Sequence, residues 1–261
     1  MIIAQISDSH IALDGPDASR RISDLELTLV DINTLDPLPD AIVHTGDITH
    51  NGREHEYAQA VAILAIARAP VYVLAGNKDN RGNLGAAFSR FGYMQPGFDF
   101  IQYAIDRYPV RLIALDTVSE GNKGAFCAER LRHLTDLVQA ETTKPIAVFT
   151  HHPPFVVTEG PEPFHFESQH SATMLSSALQ HTGRVVAVFS GHVHRAASGD
   201  VGDIPAMVMP ATATTLRHGR YPAHLKCQPV YHVHRYDPIW GFSTETRIAA
   251  LANSQDSSRP L

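Results

Sequence analysis

Met1-Ile2-Ile3-Ala4-Gln5-Ile6-Ser7-Asp8-Ser9-His10 sets the pattern of the chain: a short, β-branched apolar run stops abruptly at an acid and a histidine two residues apart. The pattern recurs. Residues 2–7, 41–45, 71–75, 111–116, 146–150 and 185–190 read as strands. All but the fourth are followed at once by polar groups: Asp8-Ser9-His10, Gly46-Asp47, Gly76-Asn77-Lys78-Asp79, His151-His152 and Gly191-His192-Val193-His194. Between the strands, 22–34, 53–68, 127–141 and 171–181 carry helical spacing, with Leu25, Leu29 and Ile32 on one face. The alternation predicts an α/β fold with a sheet covered on both faces. From about Pro205, strand-like pieces at 206–209, 230–236 and 242–248 follow one another without helices, which predicts an antiparallel, strand-rich C-terminal part. Residues 159–169, rich in proline, glycine, aromatics and acids, read as a long loop beside the site. Residues 1–251 read as one domain and 252–261 as a frayed tail.

Composition narrows the function classes. The chain has 261 residues, 44% of them apolar, enough for a sizeable core. Its formal net charge of −6 lacks the basic excess needed to grip a nucleic-acid polymer by its phosphates. No positively charged leader precedes Asp8, and the most apolar stretch, 57–76, is broken by Gln59, Arg68 and Pro70, so neither a secretory signal nor a membrane span is expected. Cys127 and Cys227 lie in no metal-like or redox-like spacing and are expected to be buried thiols of a cytoplasmic protein. The 16 histidines direct attention to metal ligands.

In an open α/β sheet, ligands gather outside the carboxyl ends of the strands, so the polar groups after the five strands are expected to converge at one edge of one sheet. Asp8 and His10 alternate on an extended segment and so point the same way, as do His192 and His194. Carboxylates, imidazoles and one amide without a thiolate suit Mn2+, Fe2+/Fe3+ or Zn2+. Seven ligands are too many for one tetrahedral ion and natural for two ions sharing a carboxylate. Such a pair clamps the attacking and leaving oxygens of a phosphoryl centre. Gly46, Gly76 and Gly191 fit turns that bring backbone close to the ions.

The set Asp8-x-His10, Gly46-Asp47, Gly76-Asn77-x-Asp79, His151 and Gly191-His192-x-His194, in order over residues 8–194, resembles the calcineurin-like metallophosphoesterases. The His151-His152-Pro153-Pro154 and Gly191-His192-Val193-His194-Arg195 forms look most like class III cyclic-nucleotide phosphodiesterases and glycerophosphodiesterases. The resemblance implies a four-layer α/β/β/α sandwich. It also implies one metal held by Asp8, His10 and His194, another by Asn77, His151 and His192, and Asp47 between them. One position departs from the family: Lys78 stands where a histidine usually contacts the phosphate and helps protonate the leaving group. A lysine still offers positive charge to a phosphoryl oxygen but is a poor proton donor near neutrality.

The expected activity is hydrolysis of small-molecule phosphodiesters, of cyclic-nucleotide or glycerophosphodiester type, by in-line attack of a hydroxide held between two metals. The catalytic set is Asp47, Asn77, Lys78 and His152. A phosphomonoesterase or lipid-headgroup phosphodiesterase of the same fold is one alternative, and a metal-binding scaffold silenced by Lys78 is another. Asp79 is expected to hydrogen-bond a ligand histidine from behind, and His152 to point outward or touch the phosphate. His44 is expected in the core, His165 or His170 at the pocket rim, and His218, Tyr221 and His224 in a solvated loop. His232 and His234 are expected on a strand face forming the surface or a subunit contact. Pairing of copies through the C-terminal strands is expected from the part that relatives use to pair.

Overall fold

A computed structural model describes residues 1–94, 98–121, 123–158, 160, 163–223 and 225–250. The expected tail at 252–261 and His224 lie outside the described residues. Strands β1 (Ile2–Ile6), β2 (Ala41–His44), β3 (Val71–Val73), β10 (Val230–Asp237) and β11 (Gly241–Ile248) form one sheet in the order β11-β10-β1-β2-β3. Strands β4 (Tyr103–Ile105), β5 (Arg111–Leu115), β6 (Ile146–Thr150), β7 (Val185–Ser190), β8 (Ala197–Val201) and β9 (Ile204–Val208) form a second, ordered β4-β5-β6-β7-β9-β8. The helices are α1 (Ala18–Ile32), α2 (Glu54–Leu64), α3 (Arg81–Phe88), α4 (Ala128–Ala140) and α5 (Gln169–His181). None of them is long and apolar enough to cross a membrane.

Alternation along the strands stacks the layers. Ala147 and Phe149 of β6, with Ala187 and Phe189 of β7, join the apolar cluster that includes the first sheet and α1 to α3. Their neighbours Ile146, Val148 and Val188 pack instead on Leu134 and Leu137 of α4 and Leu175 and Leu179 of α5. The result is a mixed α/β fold in four layers, helices outside two facing sheets, as expected from the sequence. The predicted helical face of α1 is the packed one: Leu25, Leu29 and Ile32 have no exposure. Burying each such side chain contributes about 2 kcal/mol.

Several expectations are corrected. The apolar strands belong to two sheets rather than one, because the chain crosses from the first to the second after α3. The strand-rich C-terminal part is antiparallel in β10 and β11, as expected, while β9 pairs antiparallel with β8 and parallel with β7. Cys127 is half-buried and Cys227 exposed, and both are unpaired. Phe164, inside the expected loop, pairs as a short bridge with Val157 just before it, and Gln169 already opens α5. His232 and His234 are not on the surface: both are buried on the face of β10 that meets the second sheet.

His234 explains that burial. Its Nε2–H donates to Gln5 Oε1 (3.0 Å), Thr244 Oγ1 donates to its Nδ1 (2.7 Å), and its ring stacks on Phe189 with centroids 3.8 Å apart. Gln5 is oriented in turn by donating from Nε2 to Thr45 Oγ1 and the Ser190 carbonyl, so a polar chain ties both sheets together. Both nitrogens of His232 lack a hydrogen-bond partner among the described residues, and burial lowers its pKa to about 4. Burial and the charge of His232 also push His234 well below the ordinary range.

These rings stay neutral in the fold while the unfolded chain takes up protons below pH 6.5. Stability present above pH 6.5 is therefore lost as pH falls toward 4, by about 1.4 kcal/mol per pH unit for each ring. Denaturant unfolding at pH 7, 6 and 5 measures this slope. His232→Leu is expected to reduce it by about one proton; an unchanged slope would show that His232 does not contribute.

Candidate metal centre

Five strand ends deliver the candidate ligands, three from the first sheet (β1, β2, β3) and two from the second (β6, β7). The chain segments beyond β1 and β2 continue side by side. The N–H groups of Asp8, His10 and Ile11 donate to the carbonyls of Gly46, Asp47 and Ile48 at 2.8–3.0 Å. Asp8, His10, Asp47, His192 and His194 all take the left-handed region, at φ 45–74°. Such a conformation is uncommon outside glycine, and it means that Asp8–His10 and His192–His194 are not the extended segments expected from the sequence. Gly76 serves close approach: a Cβ there would lie 2.2 Å from Asp47 Oδ1.

All seven candidate ligands meet, in two groups. Asp8 Oδ1 lies 3.3 Å from His194 Nε2 and 3.9 Å from His10 Nε2, and the two ring nitrogens are 3.3 Å apart. In the second group, Asn77 Oδ1 lies 3.1 Å from His151 Nε2 and 2.9 Å from His192 Nδ1, which are 3.2 Å from one another. Asp47 spans the two, with Oδ2 at 3.4 Å from His10 Nε2 and Oδ1 at 3.5 Å from His151 Nε2. The backbone N–H of Lys78 donates to Asp47 Oδ1 (2.7 Å). Asp8 Oδ2 accepts from Ser7 Oγ (2.6 Å) and the His192 N–H (3.0 Å), leaving buried Oδ1 without a hydrogen-bond partner among the described residues.

The two carboxylates carry the charge a cation site needs, while the rings divide between neutral and protonated. Burial opposes ionisation of Asp8, but the charges of His194, His151 and His10 hold the carboxyl well below the usual range. Asp47 is likewise held at about 2, its burial outweighed by His151. Burial lowers His10 to about 4 and His192 to about 3. His151 rises to about 9 because Asp47 beside it outweighs burial, and His194 is raised by Asp8 against its burial. Ionised carboxylates, lone pairs crowded within 3–4 Å and an orphaned carboxylate oxygen fit divalent cations. His151 donates its Nδ1–H to the Thr45 carbonyl (2.8 Å), so its Nε2 presents a lone pair to the centre when neutral.

Other expected residues are sorted by the same geometry. His152 is fully buried, not outward: its Nδ1 lies 2.9 Å from Thr117 Oγ1, its Nε2 has no hydrogen-bond partner among the described residues, and it joins His151 and His192 in a metal-type cluster. Lys78 is exposed on the loop beside Asp47. Asp79 does not back a ligand histidine. Its carboxylate accepts from the N–H groups of Ile48, Thr49 and Gly76 and from the hydroxyls of Thr49 and Tyr57, so it ties the Asp47 and Asn77 loops together.

His44 is buried against Ser9 Oγ (2.9 Å), as expected of a core residue. His165 meets Lys123 and the Phe166 carbonyl, and His170 lies in the first turn of α5. Tyr221 carries the Arg217 guanidinium on its ring. Sequence reasoning missed His50, whose Nδ1 is 3.4 Å from His10 Nδ1, and Phe164, which packs edge-on to His192. His218 is exposed in a loop, as expected, and its place beside the centre is what went unread: its ring stacks on His194 and its N–H donates to the His194 carbonyl. No periodic signal marks these three; only the folded backbone brings them in.

The comparisons agree with this geometry. A 32% identical relative, a probable glycerophosphodiester phosphodiesterase of Arcobacter nitrofigilis, aligns over 75% of this chain and 72% of its own length. A probable cyclic nucleotide phosphodiesterase of Rhodopseudomonas palustris is 28% identical over 77% of this chain and 74% of its own. Among solved structures, a purple acid phosphatase from yellow lupin seeds superposes with a TM-score of 0.63 at 13% identity, covering 95% of this chain and 51% of that one, which shows a shared fold. The model of the calcineurin-like phosphoesterases matches residues 1–196, so the chain belongs to the calcineurin-like phosphoesterase family.

Proposed function

We propose that this chain is a dinuclear-metal hydrolase of small-molecule phosphodiesters, of cyclic-nucleotide or glycerophosphodiester type. The observation that carries the reading is Asp47, whose two oxygens face two separate ligand groups. Asp8, His10 and His194 would hold one ion, Asn77, His151 and His192 the other, and Asp47 would serve both. Divalent ions there, Mn2+, Fe2+/Fe3+ or Zn2+, supply a nucleophile at neutral pH and Lewis-acid stabilisation of the phosphoryl oxygens. The names of the relatives support the diester, and the acidic net charge disfavours a nucleic-acid polymer.

The chain's own groups position the substrate. Lys78, exposed beside Asp47, would place its ammonium on a phosphoryl oxygen, where charge develops in the transition state. His152, held through Nδ1 by Thr117, keeps an unpartnered Nε2 beside His151 and His192 and would contact the phosphate. The unpaired Cys127 and Cys227 support a reducing, cytoplasmic location. Copies of the chain would pair through the β10–β11 hairpin, where β11 is a sheet edge and Ile239 and Trp240 are exposed at the tip.

Hydrolysis of bis(p-nitrophenyl) phosphate and p-nitrophenyl phosphate, after metal stripping and again with Mn2+, tests the activity. Mn2+ is expected to restore diester cleavage, and Asp47→Ala to reduce it by more than about 100-fold and to lose one ion. Metal binding without cleavage of either compound would instead support the scaffold reading. Lys78→Ala is expected to lower kcat by about 100-fold and Lys78→His to retain turnover; an unaltered Lys78→Ala variant would make the residue a bystander. Light scattering is expected to show a dimer that Trp240→Asp weakens, and a monomeric wild type would refute pairing.

A further inference from the structure

His10 turns its two ring nitrogens to different neighbours. Nε2 faces the candidate metal centre, 3.4 Å from Asp47 Oδ2 and 3.3 Å from His194 Nε2. Nδ1 points the other way and lies 3.4 Å from Nδ1 of half-buried His50, with the rings edge to face at 63°. A neutral imidazole that offers one nitrogen's lone pair to a cation keeps its proton on the other, and that proton needs an acceptor. His151 meets this need with the Thr45 carbonyl. For His10 the group in place is a second imidazole.

We propose that His50 is a positioning residue for the metal centre, accepting the Nδ1–H of His10 and so holding His10 Nε2 as a lone-pair donor toward the cation. The proposal rests on the reading of Asp8, His10, Asp47 and His194 as metal-holding groups. The direction of the bond decides the chemistry. With His50 as acceptor, the proton of His50 sits on Nε2 and His10 Nε2 is free. With His50 as donor, the His10 proton would sit on Nε2, inside the ligand group, and compete with the cation.

The backbone holds the pair in register. His10 N–H donates to the Asp47 carbonyl (3.0 Å), His50 N–H to the Ile11 carbonyl (2.9 Å), and Ile11 and Thr49 form a parallel bridge between them. The loop after His50 is fixed by Glu56, whose carboxylate accepts the N–H groups of Asn51 and Arg53, both at 3.1 Å. On the other side, an Arg21 guanidinium nitrogen donates to the His10 carbonyl (3.5 Å). Both rings are thus placed by main-chain contacts independent of any ion. An imidazole acceptor orients His10 without adding a third carboxylate to the two already buried there.

The test is Mn2+ binding to the metal-stripped full chain by titration calorimetry, with the melting temperature of the metal-free protein as a control on folding. His50→Leu and His50→Phe fill the space without an acceptor nitrogen, and His50→Asn restores an acceptor oxygen. One of the two Mn2+ ions is expected to bind 10- to 100-fold more weakly to His50→Leu and His50→Phe, with the metal-free melting temperature unchanged. His50→Asn is expected to recover affinity to within about threefold of wild type. Wild-type affinity in His50→Leu or His50→Phe would overturn the proposal, as would failure of His50→Asn to recover any of it. A wild-type chain that binds no Mn2+ would instead refute the metal reading beneath it, and the His50 role with it.

Discussion

Two carboxylates, Asp8 and Asp47, stay ionised within a few ångströms of each other in a site that is almost wholly buried. That is costly in isolation, since burial and mutual repulsion both favour protonation. The site offsets it with imidazoles arranged around the two acids and with amide and hydroxyl donors: the Lys78 N–H on Asp47, and the His192 N–H and Ser7 hydroxyl on Asp8. None of these donors is local to the acid it serves, apart from Ser7. Each requires β1, β2, β3, β6 and β7 to end at the same edge, so the architecture of two facing sheets is the condition for the charges.

The ends of the strands were legible because composition changes sharply there: apolar β-branched runs stop at Asp8, Asp47, Asn77, His151 and His192 with no intervening polar stretch. Residue type then marked these ends as candidate ligands, and the resemblance to a known family picked out the seven. Their division between two sheets was not legible, since a parallel strand buried in either sheet has the same apolar pattern. Helix α3 was hidden by Gly82 and Gly85, which depress helical propensity; what starts it is Asn80, whose side chain accepts the Asn83 N–H. Strand β8, Ala-Ser-Gly-Asp-Val, is a short edge piece held by its pairing with β9 rather than by composition. His232 and His234 alternate as a surface strand would, and only the second sheet lying against β10 makes that face an interior.

Histidine serves two opposite purposes in this chain. In His234 the ring is a neutral connector, using one nitrogen as donor and the other as acceptor to join Gln5 to Thr244. Around Asp47 the rings act through lone pairs and through the charge of the few that hold a proton. The sequence alone does not separate them, because the surroundings decide which nitrogen carries the proton. In the fold the separation is spatial: connectors lie between the sheets and lone-pair donors at the strand ends.

Asp8, His10, Asp47, His192 and His194 hold left-handed backbone at an energetic cost of about 1 kcal/mol each. The side chains that relax this strain are glycine and, in part, asparagine, neither of which can take the place of an imidazole or a carboxylate here. Drift at these positions is therefore biased: a lineage released from its chemistry gains foldedness by each ligand it gives up, and regaining one means climbing back against the backbone. Loss is easy and return is hard. All five positions carry Asp or His, so in this chain the strained backbone and the side chains that could hold a cation are kept together.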